Sequence, residues 1–259
     1  MDLNLKDKVV LVTGGSRGLG RTICESFADE GAKIVVSYYR QANGTVNLAD
    51  EAEAVVADLQ RRGSAAMAVG GDVSIEQDVA DLFEQAWRQL GPVDVLVNNA
   101  GICPVSFIKD MPYEMWRSTI DINLNGTFLC SRELVRRATA QKRPARIVNI
   151  VSQAAFNGSA TGKSHYSASK AGIVMLTVSL AKEMAREGIT VNAVAPGMMR
   201  TEMVAESLKV KEEQYNKSIP LGRIGDTREV ANVVLFLASD AASYVTGATY
   251  DASGGMLMR

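Results

Sequence analysis

The chain has 259 residues, 47% hydrophobic and 22% charged, and its 28 basic and 29 acidic side chains leave a formal net charge of −1. That balance argues against nucleic acid or a membrane surface as a partner, and no apolar run approaches the ~20 residues of a membrane span. Cys24, Cys103 and Cys130 are far apart and odd in number, which reads as buried, unpaired thiols of a reducing compartment; with a single histidine, no metal centre is expected. The opening MDLNLKDKVVLVTGG has no basic segment leading into an apolar one, so a cytoplasmic chain without a signal peptide is expected.

KVVLVTGG at 8–15 is a β-branched run ending in glycine, which predicts a buried strand and its turn. The next stretch, GLGRTICESFADEGA, sets Leu19, Ile23, Phe27 and Ala28 at helical spacing with charges opposite. KIVVSYY at 33–39 predicts a second strand, and 48–63 a helix closed by Gly63. AAMAVGGDV is a third strand, and the helix behind it opens on Ser74 and Gln77 with the spacing of a capping box. VDVLVNNAG at 93–101 is the fourth strand, 112–140 a helical stretch, ARIVNIVS the fifth strand, and HYSASKAGIVMLTVSLAKEMAREG a long helix. ITVNAVAPG, TREVANVVLFLAS and GATYDASGG then predict strand, helix and strand. The loosest segments are 40–47 and 198–225, the second long enough to serve as a lid. Strands alternating with helices in this way predict an α/β fold, a doubly wound parallel sheet of about seven strands with helices on both faces, in a single domain over 1–259.

TGGSRGLG at 13–20 falls at the first strand–helix junction. Glycine there lets the backbone turn sharply and approach a ligand, while the helix N-terminus offers free N–H groups to a pyrophosphate. Gly14, Gly18 and Gly20 depart from G-x-G-x-x-G and match T-G-x-x-x-G-x-G, the cofactor loop of the short-chain dehydrogenase/reductase family. The chain resembles that family over nearly its full length: in NNAG at 98–101, Asn123 of DINLNGTF, Ser152 of VNIVS, Tyr166 and Lys170 of YSASK, and PGMMRT at 196–201. The resemblance implies a Rossmann fold in which Gly14, Ser16, Arg17, Gly18, Leu19 and Gly20 meet the dinucleotide. It further implies that Asp72 and Val73 flank the adenine and that Asn99, Ala100 and Gly101 line the ribose side. Pro196 and Gly197 would border the nicotinamide, with Met199 and Thr201 at its carboxamide. Ser152 and Tyr166 stand 14 positions apart, one more than in close relatives, which predicts a bulged loop between them.

NAD-binding Rossmann folds place an acid at the end of the second strand to accept from the ribose hydroxyls. Here that point reads Ser37-Tyr38-Tyr39-Arg40, with Arg17 in the glycine turn. Two guanidiniums make a fork for a 2′-phosphate and find no partner on NAD, so NADP(H) is expected over NAD(H), with Tyr39 and Arg40 in the site. The plainer reading of Arg40 alone is the first residue of a solvated loop.

Four residues along a helix put Tyr166 and Lys170 on one face. A free phenol has a pKa near ~10, and a neighbouring ammonium is expected to lower it toward a usable acid/base. By resemblance, Tyr166 exchanges the proton at the substrate oxygen and Lys170 also binds the cofactor ribose. Ser152 polarises the carbonyl, and Asn123 holds a water that links Lys170 to solvent. Separately, each has a plain structural reading: a surface pair, a strand-end cap, a turn residue. His165, beside Tyr166, is expected to start the helix and face solvent or the pocket rim.

Two subfamilies resemble the chain. The 3-oxoacyl-carrier-protein reductases share GITVNAVAPG, IPLGRIG and VANVVLFLASD, and Arg143 matches one of their carrier-docking cations. Glu187 stands where the second is expected, and NNAGICPVSF lacks their Thr and Asp. Sugar and polyol dehydrogenases share NNAGICP and NLNGTF, and Gln153, Asn157 and Ser159 are candidates for a polar pocket. The reading favoured is a 3-oxoacyl reductase-like enzyme acting on a small carbonyl or alcohol, with a carrier protein as a conditional partner. The alternatives are a sugar dehydrogenase and a dinucleotide sensor without turnover. Family habit makes it a homotetramer, through helices at 112–140 and 166–187 and through SYVTGATYDASGGM.

Overall fold

A computed structural model of the chain describes residues 2–41, 44–201 and 205–259, the side chains of 205–211 excepted. Parts of the two loose segments, 42–43 and 202–204, lie outside the described residues. The apolar runs become strands β1 (Val9–Val12), β2 (Lys33–Tyr39), β3 (Ala66–Gly71), β4 (Val95–Asn98), β5 (Ala145–Ile150), β6 (Ile189–Pro196) and β7 (Thr249–Ala252). All pair in parallel, in the order β3-β2-β1-β4-β5-β6-β7, with Val12 opposite Val36 and Val97. Between them lie α1 (Gly18–Asp29), α2 (Ala49–Arg61), α3 (Glu76–Leu90), α4 (Tyr113–Ile120), α5 (Gly126–Ala140), α6 (Ala154–Asn157), α7 (Ser164–Met184), α8 (Ala205–Ser218) and α9 (Thr227–Ala238).

Alternation along β1 divides the core. Val10 and Val12 pack with Ile23, Phe27, Leu59 and Val234 under α1, α2 and α9. Val9 and Leu11 point the other way, into Leu82, Phe83, Leu134 and Ala181 of α3, α5 and α7. Parallel strands covered on both faces carry no polar side, so β1 reads as an unbroken apolar run. Each large side chain buried in this way contributes about 1.5–3 kcal/mol.

The sheet reverses its winding between β1 and β4, which opens a crevice outside their carboxyl ends. The glycine turn after β1 and the NNAG segment after β4 both open onto that crevice.

Three local expectations change. The capping box at Ser74 does not form: the Ser74 hydroxyl donates to Asp72 Oδ1 (2.6 Å), and α3 begins at Glu76. A capping box instead starts α9, where Asp226 and Glu229 satisfy each other's backbone. The helical stretch 112–140 is broken by a π-helical turn, Asp121–Asn125, which holds Asn123. The segment 198–225 carries α8 where a loop was expected.

Candidate active site

The glycine turn leaves β1 into α1 with Gly14 at φ +64° and Gly18 at φ +53°, backbone that L side chains adopt only under strain. A methyl on Gly20 would stand 2.1 Å from Gly14 O, so the turn closes on itself only with hydrogen at that position. The loop is pinned from β4: Asn99 Nδ2 donates to Thr13 O (2.9 Å) and Gly14 O (3.1 Å). Thr13 Oγ1 accepts from the amides of Asn99 and Ala100, both at 3.0 Å. Thr13 escaped the sequence reading; its place before the first glycine was the available signal. Ser16 and Leu19 are buried under the turn, and Arg17 at its tip is exposed.

At the end of β2, Tyr39 lies partly open beside Asp72, whose carboxylate adds to burial in pushing the phenol up. Arg40 is exposed, and among the described residues neither it nor Arg17 meets a carboxylate. Most other arginines do, as in Arg62–Asp29, Arg223–Glu229 and Arg228–Asp29. Asp72 and Val73 follow β3, with Asp72 N held by Asp78 Oδ2 (2.8 Å). On the far side, Pro196 and Gly197 end β6, and a methyl on Gly197 would lie 2.7 Å from Ser253 Cα. Met199 bridges to Gly225, and Thr201 stands partly open next to it in sequence. These residues form a cation-edged cradle too tight for a side chain at Gly20 or Gly197, which fits a dinucleotide phosphate.

The four polar residues taken as catalytic converge where α7 crosses the end of β5. The Ser152 hydroxyl lies beside the Tyr166 phenol and favours its ionised form. Lys170 Nζ lies 5.7 Å from the Tyr166 ring centre and donates to Ile150 O (2.7 Å). Asn123 sits fully buried in the π-helical turn, the kind of helix defect often kept at functional sites. Its Oδ1 accepts from Ile102 N (2.8 Å), and its Nδ2 donates to Ile102 O (3.0 Å) and Ser169 Oγ (3.0 Å). Both amide hydrogens are thereby spent on tying the segment after β4 to α7. A methyl on Gly101 would meet Asn123 Oδ1 at 3.1 Å and Lys170 Nζ at 3.6 Å, so the two groups share that glycine.

The electrostatics differ from the expectation that Lys170 lowers the phenol. Burial pushes Tyr166 up to about 12 against the Ser152 hydrogen bond. The same burial brings Lys170 down to about 8, so the ammonium meant to support a phenolate is itself poorly solvated. Cys103 also departs from its sequence reading. Cys24 and Cys130 are core thiols raised by burial, whereas Cys103 is half-buried beside Tyr166 and Lys170. His165 is not on the rim either: it is 0% exposed, and both ring nitrogens lack a partner among the described residues. Burial lowers its pKa and favours the neutral ring. Between Ser152 and Tyr166 the chain forms α6 and a turn with Gly158 and Gly162 at positive φ.

Known proteins resemble the chain over nearly its whole length. A family model described as enoyl-(acyl carrier protein) reductase matches residues 14–257. The chain is 41% identical over 255 residues to the 3-oxoacyl-[acyl-carrier-protein] reductase of Synechocystis sp., covering 98% of each. Over 257 residues it is 40% identical to the enzyme of that name from Aquifex aeolicus, covering 99% of this chain and 100% of the relative. Among solved structures it matches a putative gluconate dehydrogenase from Agrobacterium tumefaciens with a TM-score of 0.91 and 32% identity, over 100% of this chain and 99% of that one. A short-chain type dehydrogenase/reductase from Mycobacterium marinum matches equally well, with a TM-score of 0.91, 33% identity, and coverage of 100% and 98%.

Proposed function

The chain belongs to the short-chain dehydrogenase/reductase family, nicotinamide-dependent oxidoreductases of alcohol and carbonyl groups, and on that premise we propose that it reduces 3-oxoacyl compounds with NADPH. The observation that carries this reading is the Ser152 hydroxyl, the Tyr166 phenol and the Lys170 ammonium lying together at the same crevice as the glycine cradle. Bound dinucleotide supplies the hydride. Ser152 donates to the substrate oxygen and polarises the carbonyl, and Tyr166 delivers the proton to that oxygen. Lys170 orients the ribose and supports the phenolate that remains, while Asn123 holds the segment after β4 against α7.

NADP(H) is favoured over NAD(H) because Arg17 and Arg40 are guanidiniums without a carboxylate partner among the described residues, and no acid ends β2. Arg40→Asp is expected to lower the NADPH/NADH ratio of kcat/KM by at least ~30-fold, since it removes a charge-assisted bond and adds a repulsion. An unchanged ratio removes Arg40 from the phosphate site.

A 3-oxoacyl chain is favoured by the apolar rim: Val105, Phe107 and Ile108 are all exposed on the segment that docks against the turn before α7. Arg143 weighs against dependence on a carrier protein. Its guanidinium is held by Asp94 at 2.5 Å, and Asp94 also accepts from Val9 N, so this cation is already committed to the sheet. The sugar reading keeps one supporting observation, the buried Gln153 Oε1, which lacks a partner among the described residues; Asn157 is exposed and Ser159 is bonded to Thr161. The test is NADPH oxidation with acetoacetyl thioesters set against aldoses and polyols. Turnover of the thioesters supports the reading, and turnover of sugars alone overturns it.

One domain and a cytoplasmic setting complete the proposal, supported by the one seven-stranded sheet and the three unpaired thiols. A homotetramer is supported by exposed Phe128 and Met175 on α5 and α7, and by exposed Tyr244 and Tyr250 around β7.

A further inference from the structure

Resting on the role proposed for Ser152, we infer that Arg259 is a positioning residue for the reaction: it clamps Phe156, and through α6 it sets the orientation of the Ser152 hydroxyl. Ser152 and α6 form one hydrogen-bonded unit. Ser152 Oγ accepts from Ala154 N (3.2 Å), and Ser152 O accepts from Ala155 N (3.0 Å). A hydroxyl has one hydrogen to give and two lone pairs to receive with. An amide on its oxygen leaves that hydrogen free for a substrate oxygen and restricts where it can point. Any tilt of α6 therefore moves the group that polarises the carbonyl.

The helix α6 has little of its own to hold it. It is four residues long, and none of them is fully buried. Before it, Gln153 N donates to Pro196 O (3.3 Å). After it, Gly158 turns at φ +66°, and a methyl there would meet nothing within 4 Å. Phe156 is the anchor, its half-buried side chain packing with Val151, Ile173 and Ala195. The guanidinium of Arg259 lies over the same ring, with Cζ 3.8 Å from its centre.

Arg259 is in turn fixed to β7. Its Nε and Nη2 donate as a fork to the Asp251 carboxylate, at 3.1 and 2.9 Å, and Nη2 also donates to Thr249 O (3.0 Å). A guanidinium can do both at once, since its donors lie in its plane and its faces stay free to stack. The strand β7 also fixes the end of β6: Gly197 N donates to Ala252 O (3.1 Å). Arg259 thus refers α6 to the strand that sets the proposed nicotinamide border, so that Ser152 and the hydride donor keep one spacing. Misplacement by about 1 Å costs on the order of 10²-fold in rate, so even a modest loosening of α6 is visible in kcat.

The experiment measures reduction of the N-acetylcysteamine thioester of acetoacetate at saturating NADPH. The variants are Arg259→Ala, Phe156→Leu, the two combined, and Arg259→Ala in a Ser152→Ala background. Arg259→Ala is expected to lower kcat about 5–20-fold, with NADPH affinity and the thermal midpoint near wild type. Phe156→Leu should lose a similar amount, and the combined variant no more than either alone. Once the Ser152 hydroxyl is gone, removing Arg259 should change kcat by less than about twofold. Losses of equal size in both Ser152 backgrounds, additive losses with Phe156→Leu, or no loss in the wild type overturn the inference and leave the 3-oxoacyl reading intact. If the thioester is not reduced at all, that reading fails, and chymotrypsin cleavage after Phe156 decides Arg259 separately. Cleavage at least ~5-fold faster in Arg259→Ala then supports the clamp, and an unchanged rate overturns it.

Discussion

Tyr166→Phe is expected to lower kcat/KM for carbonyl reduction by about 10²–10⁴-fold, the range that a positioned proton donor contributes. Phenylalanine keeps the ring that Lys170 approaches and removes only the hydroxyl beside Ser152, so the fold should persist. The thermal midpoint and NADPH affinity are the controls, and both should stay near wild-type values. The pH profile separates this role from a structural one. Reduction needs the protonated phenol and oxidation needs the phenolate. With Tyr166 pushed up to about 12, reduction in the wild type should hold level through neutral pH, while alcohol oxidation climbs as pH rises. The oxidation climb should vanish in Tyr166→Phe. Activity within tenfold of wild type would remove Tyr166 from proton transfer. A wild-type protein that binds NADPH and turns over no carbonyl would restore the sensor reading.

Gly20→Ala should be nearly as damaging, through the cofactor cradle. The added methyl would stand 2.1 Å from Gly14 O and 2.6 Å from Asn99 Nδ2. The first contact is backbone, and Gly14 is held at φ +64° against Ala100, so neither side can yield cheaply. Overpacking of this kind costs about 1–3 kcal/mol, which for a chain of this size lowers the melting temperature by roughly 2–10 °C. NADPH affinity, read by quenching of protein fluorescence, should fall at least ~100-fold, because the shifted turn no longer presents its N–H groups to the pyrophosphate. Gly18→Ala is the comparison: it shares the positive φ but meets nothing within 4 Å, so its stability loss is confined to about 1 kcal/mol of backbone strain. Equal stability losses in the two variants would show that conformation, not contact, is what position 20 requires.

The glycine turn and the Tyr166/Lys170 pair were legible because their chemistry depends on neighbours a few residues away. A turn residue at a strand–helix junction and an i, i+4 pair on one helix are both local geometry. Thr13 and the tie from Asn123 to Ser169 were not legible, since each joins segments from 46 to 87 residues apart. The capping box failed at Ser74 for a local reason instead: a competing acceptor, Asp72, two residues away, captured the hydroxyl.

By itself the sequence determined the alternation of strands and helices, the doubly wound sheet, the family and the reaction class. All of these follow from periodicity and from motifs whose parts lie close along the chain. The tertiary structure decided what depends on dielectric and on distant approach. It buried His165, which the sequence put on the rim, and drew Cys103 out of the core and into the site. It also raised the phenol that an ammonium was expected to lower. Burial is a sum over atoms from every packed element, and no spacing along one chain encodes that sum.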